Sequence, residues 1–158
     1  MLKREDVIHY VTRKFLIEEN WRLLAGEYPN GSDDELHSLR IMDKLLAKDN
    51  SPAHRYHSLN KLVPDLLAIK GNELLIIEMK PSYSKQDEIK LIDMLNKRKE
   101  EFLYYLEEFL IRYFPNIVGS IHDLKFTPVL GFSSSKNLER HKDFKYIIVQ
   151  SLNKAEFY

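Results

Sequence analysis

The stretch that decides the fold runs from Val63 to Lys80 and reads VPDLLAIKGNELLIIEMK. Two apolar runs, Leu62–Lys70 and Glu73–Lys80, lie on either side of Gly71-Asn72, a pair suited to positive φ and hence to a two-residue hairpin loop. Both runs are apolar at nearly every position, as strands buried on both faces are. The stretch therefore predicts two central strands joined by a tight turn.

Three ionisable residues interrupt this apolar hairpin: Asp65, Glu78 and Lys80. A two-residue loop pairs residues whose numbers add up to 143, so Asp65 should face Glu78. Side chains alternate along a strand, and Lys80 should therefore share a face with Glu78. Two carboxylates with Cβ atoms about 5 Å apart repel each other unless a proton or a cation lies between them. Carboxylate oxygens are ligands of Mg²⁺, so the register predicts a metal site here.

A purely structural interpretation of the same residues stays open. In it, Asp65 caps a loop, and Glu78 and Lys80 form a salt bridge on one face near the end of the sheet. The two interpretations differ in whether a metal ion binds the native protein.

Outward from the hairpin, the pattern predicts one α/β domain over residues 1–158, of the α+β type with a mixed sheet. A helix over 3–18 and a strand over 20–28 come first, followed by a loop or insertion over 29–61. After the hairpin, apolar residues at helical spacing predict one long helix from Asp87 to about Tyr113. Strands are expected at 125–133 and 144–151. The order is helix, strand, strand, strand, helix, strand, strand.

The run Val63-Pro64-Asp65, followed after twelve residues by Glu78-Met79-Lys80, resembles the PD-(D/E)xK nuclease superfamily, which includes restriction endonucleases, Holliday-junction resolvases and repair nucleases. The core order of that superfamily, helix, three strands, helix and strand, is similar to the order predicted here. The resemblance spans about residues 3–150, with its diagnostic part at 63–80. It implies a restriction-endonuclease-like core and Mg²⁺-dependent hydrolysis of DNA that leaves a 5′-phosphate, with Mn²⁺ expected to substitute.

The resemblance also implies roles for individual residues. Asp65 and Glu78 would be metal ligands, the backbone carbonyl of Met79 a further ligand, and Lys80 the catalytic lysine. The superfamily usually contributes an acid from its first helix. Glu5 is the candidate, with stabilisation of the helix start as an equal alternative and Glu18, Glu19 and Glu27 as other choices.

Further residues are candidates for contacts with DNA phosphates. Gln86 and Lys90 open the helix after the hairpin, although a helix start and a surface charge explain them as well. Basic residues also lead into Asp65, where Arg55, His57 and Lys61 are the best placed.

Composition limits the alternatives. The chain has 24 basic and 24 acidic residues and no Cys, which excludes thiolate metal sites, disulfides and Cys nucleophiles. No apolar run reaches membrane-spanning length, so a cytoplasmic protein is expected.

Three functions remain for this chain. The first is an endonuclease of restriction or repair type acting on DNA, with a homodimer expected if it reads a sequence. The second is a Holliday-junction or other structure-specific nuclease. The third is a non-catalytic nucleic-acid-binding subunit that retains the fold.

Overall fold

The computed structural model describes residues 4–29, 35–39, 63–117, 119–134 and 138–158. These residues form three α-helices, a 3₁₀ turn at Ile121–Asp123 and a six-stranded mixed sheet, which confirms the predicted α+β class. The helices are α1 (Glu5–Glu18), α2 (Lys85–Leu95) and α3 (Lys99–Tyr113). The strands are β1 (Arg22–Gly26), β2 (Leu66–Lys70), β3 (Glu73–Met79), β4 (Lys125–Phe132), β5 (Lys145–Ser151) and β6 (Lys154–Phe157).

The strands follow chain order across the sheet, from β1 at one edge to β6 at the other. Strands β1, β2 and β3 form an antiparallel meander, β3, β4 and β5 run parallel, and β6 returns antiparallel. The predicted hairpin register is confirmed, because Leu66 pairs with Ile77 and Lys70 with Glu73. Gly71 supplies the positive φ of the turn, at 61°.

Both faces of the central strands are buried, which explains the continuous apolar runs. Leu66 and Ala68 point toward α1, whereas Leu67 and Ile69 point toward α2 and α3. The result is three layers, with α1 on one face of the sheet and the other two helices on the opposite face.

Helix α1 ends at Glu18, and the chain changes direction at Asn20. This residue adopts a φ of 67°, a left-handed conformation that Asn tolerates better than most residues do. The N–H of Trp21 then donates to the carbonyl of Leu16, which closes the last turn and turns the chain into β1. The first strand is accordingly shorter than the predicted span over 20–28.

The single helix predicted from Asp87 to Tyr113 was wrong, because the chain forms two helices with a turn at 96–98. Asn96 has low helix propensity, and beyond it the N–H of Arg98 donates to the carbonyl of Asp93 instead of continuing the helix. The break lets α2 and α3 each direct an apolar stripe at the same face of the sheet, with Met94 and Phe102 in one cluster.

Two further observations complete the fold. Strand β6 was not predicted, since its four residues carry no long apolar pattern. Among the described helices, none has the length and apolar composition needed to cross a bilayer.

Candidate active site

The charged residues of the hairpin lie where β3 ends and β2 begins. Asp65 directly precedes β2, Glu78 and Met79 are the last two residues of β3, and Lys80 follows. The N-terminal turns of α1 approach these strand ends from one face of the sheet. The start of α2 reaches them from the other face.

Asp65 is held in place by backbone hydrogen bonds. Its Oδ2 accepts from the N–H of Met79 at 2.8 Å. Its own carbonyl accepts from the N–H of Glu27 at 3.0 Å. The confirmed register ends at Leu66 and Ile77, one residue before Asp65 would face Glu78. The carboxylate of Asp65 is thus fixed to the end of β3, and the predicted position opposite Glu78 lies one residue beyond the paired register.

Glu78 is a buried acid paired with a lysine. Its side chain is 3% exposed, and its Oε1 lies 2.5 Å from Nζ of Lys90. Lys90 also donates to the carbonyl of Val63 at 2.9 Å. Burial and then the charge of Asp65 raise the pKa of Glu78 well above its usual value, and the charge of Lys90 opposes them. Lys90, a candidate for phosphate contacts, is therefore directed at Glu78 in this structure.

Lys80 is paired with the first helix. The prediction that it shares a face with Glu78 was wrong, because Lys80 follows the strand and turns to α1, whereas Glu78 pairs with Lys90 from α2 on the other face. Its Nζ lies 3.1 Å from Oε1 of Glu5. Burial alone would lower the pKa of Lys80, but the hydrogen bond and charge of Glu5 outweigh it and hold that pKa above its usual value. Lys80 therefore carries its positive charge at neutral pH.

Glu5 is the helix acid that the structure brings to this point. Glu18 and Glu19 lie exposed at the other end of α1. Glu27 instead accepts a hydrogen bond from the hydroxyl of Ser38 at 3.2 Å.

His9 is a member of the site that sequence reasoning missed. Its side chain is fully buried, and neither ring nitrogen has a hydrogen-bond partner among the described residues. Nε2 lies 3.8 Å from Oε1 of Glu5 and 3.9 Å from Oδ2 of Asp65. The spacing of four residues between Glu5 and His9, which places both on one helix face, was the signal that could have found it.

A second residue missed by sequence reasoning is Asp87, near the start of α2. Its backbone N–H donates to the N-capping hydroxyl of Ser84 at 3.2 Å. Burial raises the pKa of its carboxyl, the charges of Lys80 and Lys90 oppose this, and the charge of Asp65 adds to it. Asp87 therefore faces the same group of charges.

The remaining candidates are less defined by the structure. Gln86 is exposed on the first turn of α2, and it directly precedes Asp87 in the sequence. Arg55, His57 and Lys61 lie outside the described residues, and their contacts with phosphate stay predictions.

The ligand atoms of Glu5, His9 and Asp65, at the ends of β2 and β3, could hold a divalent cation. In the described part of the chain, ligand atoms of Glu5, His9 and Asp65 lie within 4.8 Å of one another. Two carboxylates this close are stabilised by a cation between them. Glu78, paired with Lys90, is not part of this group.

Comparison with known proteins gave no match: no protein-family model, curated protein or solved structure matches the chain.

Proposed function

We propose that the chain is a divalent-metal-dependent endodeoxyribonuclease with a restriction-endonuclease-like PD-(D/E)xK core. The observation that carries the proposal is the meeting of Asp65, Lys80 and Glu5 where β2 begins and β3 ends, from three separate elements. The order of α1, the β1–β3 meander, helices and β4 is also similar to the core order of that superfamily.

The residues around the site support hydrolysis of a phosphodiester. Lys80 is charged and nearly half exposed at 43%, so it is placed to offset negative charge that develops on a scissile phosphate. The backbone N–H of Met79 fixes Asp65, which keeps its carboxylate from swinging away from Glu5. Glu5 in turn orients the ammonium of Lys80.

A divalent metal would be held by the carboxylates of Asp65 and Glu5, with Glu78 and the carbonyl of Met79 as the further ligands that the resemblance implies. When bound, Mg²⁺ supplies charge to polarise the phosphate and lowers the pKa of a bound water. Mn²⁺ is expected to substitute.

DNA is the proposed substrate. Three side chains near the end of β3 are proposed to contact phosphates on either side of the cut: the exposed Gln86, Lys80, which is paired with Glu5, and the exposed Lys85, which is paired with Glu88. With equal numbers of acids and bases, we expect weaker salt-dependent binding than a strongly basic nuclease shows. We also propose a homodimer, since two centres are needed to cut both strands of a duplex at one position.

The test is a cleavage assay with Mg²⁺ on supercoiled plasmid, single-stranded DNA and a four-way junction. We expect plasmid cleavage that is lost with Asp65→Asn and Lys80→Met and retained with Lys142→Met. Lys142 is a suitable control because it is exposed and precedes β5, at the opposite end of the sheet. Sedimentation of the intact protein measures the oligomeric state.

The other outcomes each select a different function. Cleavage of the junction alone would identify a structure-specific nuclease. Binding of DNA with no cleavage of any substrate would identify a non-catalytic subunit. Full activity in both site variants would overturn the proposed site.

A further inference from the structure

The buried imidazole of His9 is not explained by the structural contacts around it. A buried polar group without a hydrogen bond is costly, and within the part of the chain that the structure describes both ring nitrogens of His9 are in this state. The ring lies 5.9 Å from that of Tyr28, a contact that needs neither nitrogen. A phenyl ring would pack there at less cost.

The direction of the ring indicates a ligand. Nε2 is directed at the gap between Glu5 and Asp65, at nearly equal distances of 3.8 and 3.9 Å from their carboxylate oxygens. These separations are too long for hydrogen bonds and match three ligand atoms arranged around one ion. An imidazole nitrogen offers a lone pair to an ion in this position.

We infer that Glu5, His9 and Asp65 form a mixed nitrogen and oxygen metal site that selects a first-row transition ion over Mg²⁺. An imidazole ligand favours transition ions, whereas Mg²⁺ prefers oxygen ligands and water. The inference rests on the proposed function only in placing a metal at this edge, and it can be measured without any nuclease activity.

The pairing of Glu78 with Lys90 agrees with this assignment. Glu78 is the second ligand that the resemblance implies, but its carboxylate is already neutralised by an ammonium 2.5 Å away. His9 instead completes a group of three donors with Asp65 and Glu5. The chain thus has a nitrogen donor from α1 beside Asp65, where the carboxylate of Glu78 from β3 is paired with Lys90.

The experiment measures Mn²⁺ binding to the full chain by electron paramagnetic resonance. Mn²⁺ alone is the probe, and electron spin-echo modulation detects nitrogen bound to it. We expect a ¹⁴N coupling that changes to a ¹⁵N coupling when the protein is labelled with ¹⁵N-histidine. The wild-type protein suffices for this step, so it does not depend on any variant folding.

Variants then assign the coupling to one residue. His9→Gln should remove it, weaken Mn²⁺ binding by at least about tenfold and change Mg²⁺ affinity little, measured by competition. His122→Gln is the matched control, because His122 is exposed before β4, at the far end of the sheet. If His9→Gln does not fold, His9→Asn provides the same comparison.

Each other result overturns the inference. Bound Mn²⁺ without a histidine coupling, or a coupling lost in His57→Gln instead, would assign the site elsewhere. Absence of Mn²⁺ binding at millimolar metal would also overturn it. In all three cases, cleavage with Mg²⁺ that depends on Asp65 would leave the proposed function standing.

Discussion

Lys90 places its ammonium 2.5 Å from the carboxylate of Glu78, which is 3% exposed at the end of β3. A charge in this apolar setting is stable only with a partner, and Lys90 provides it from the opposite layer. This pair fixes the position of α2 against the sheet edge that carries the candidate site.

The first prediction concerns this pair. Lys90→Met should lower the free energy of unfolding by about 3 kcal/mol, because the buried carboxyl of Glu78 loses its cation and must either stay charged without a partner or take up a proton. Urea unfolding in the presence of a metal chelator measures the change without a contribution from bound metal. The control is Lys97→Met, since Lys97 is 83% exposed and its pair with Asp93 is 4.0 Å long, so a change below about 0.5 kcal/mol is expected.

A double variant tests the reason for the loss. Glu78→Met combined with Lys90→Met should restore most of the stability, since apolar side chains of similar volume replace buried ion pairs at little cost. No recovery would mean that Lys90 stabilises the fold mainly through the carbonyl of Val63.

The second prediction separates the two roles of Asp65. Asp65→Asn retains an oxygen that accepts from the N–H of Met79, whereas Asp65→Ala leaves that donor unpaired. We expect both variants to lose cleavage, and only the Ala variant to lose about 1–3 kcal/mol of stability. Thermal unfolding and plasmid cleavage measured on the same preparations check this. Equal destabilisation by both changes would argue against the hydrogen bond to Met79.

The third prediction concerns acid stability. Burial alone would raise the pKa of Glu73, but the hydrogen bonds from Thr127 and Lys145 and the nearby lysine charges outweigh it and hold the pKa below its usual 4.5. A lowered folded pKa means stabilisation that is complete above pH 4.5 and is lost as the pH falls through the folded value.

Glu73→Gln measures this contribution directly. The wild-type protein should be more stable than the variant by about 1 kcal/mol at neutral pH, a modest value because Lys145 is partly exposed. The difference should vanish in acid. A difference that persists unchanged at pH 2–3 would show that the stabilisation does not come from the charge of Glu73.

The fourth prediction concerns the close contact between α1 and β1. A Cβ on Gly26 would lie 2.7 Å from Nη2 of Arg13 and 2.9 Å from Cδ1 of Leu36. Arg13 is buried, and its guanidinium lies 4.0 Å from the ring of Tyr28, so it has little room to move. Gly26→Ala should therefore lower the free energy of unfolding by about 1–3 kcal/mol.

Gly119→Ala is the control for that change. A Cβ there meets nothing within 4 Å and φ is not positive, so we expect a change of at most about 0.5 kcal/mol. Equal losses in both variants would indicate that the close contact with Arg13 is not the cause.

The sequence predicted those parts of the fold that depend on local patterns. The hairpin register followed from Gly71-Asn72 and from apolar runs that are buried on both faces, and pairing from Leu66 to Lys70 confirms it. The break at Asn96 could not be predicted in this way. It depends on how α2 and α3 pack on the sheet, and a continuous helical pattern contains no information about that.

In the candidate site, too, the residues placed by local sequence patterns were predicted, and the residue placed by helix packing was not. Asp65, Glu78 and Lys80 were predicted from two adjacent strands, and the register does bring Asp65 to the end of β3. It does not decide the partners of the other two, because Glu78 pairs with Lys90 from α2 and Lys80 pairs with Glu5 from α1. His9 was missed because a single His among apolar residues of a helix is ordinarily part of the core. Only the docking of α1 against the sheet shows that its ring faces Asp65.

The packing of α1 has a consequence for the order in which the protein can assemble. This helix contacts β5 and β6, where the ring of Phe15 lies 5.1 Å from that of Phe157. Because α1 precedes every described strand and β5 and β6 follow the other strands, the helix is synthesised well before this part of its packing surface. Its contacts with β5 and β6 can form only after those strands have been made, so the complete docking of the helix that carries Glu5 and His9 is a late step in the assembly of the described fold.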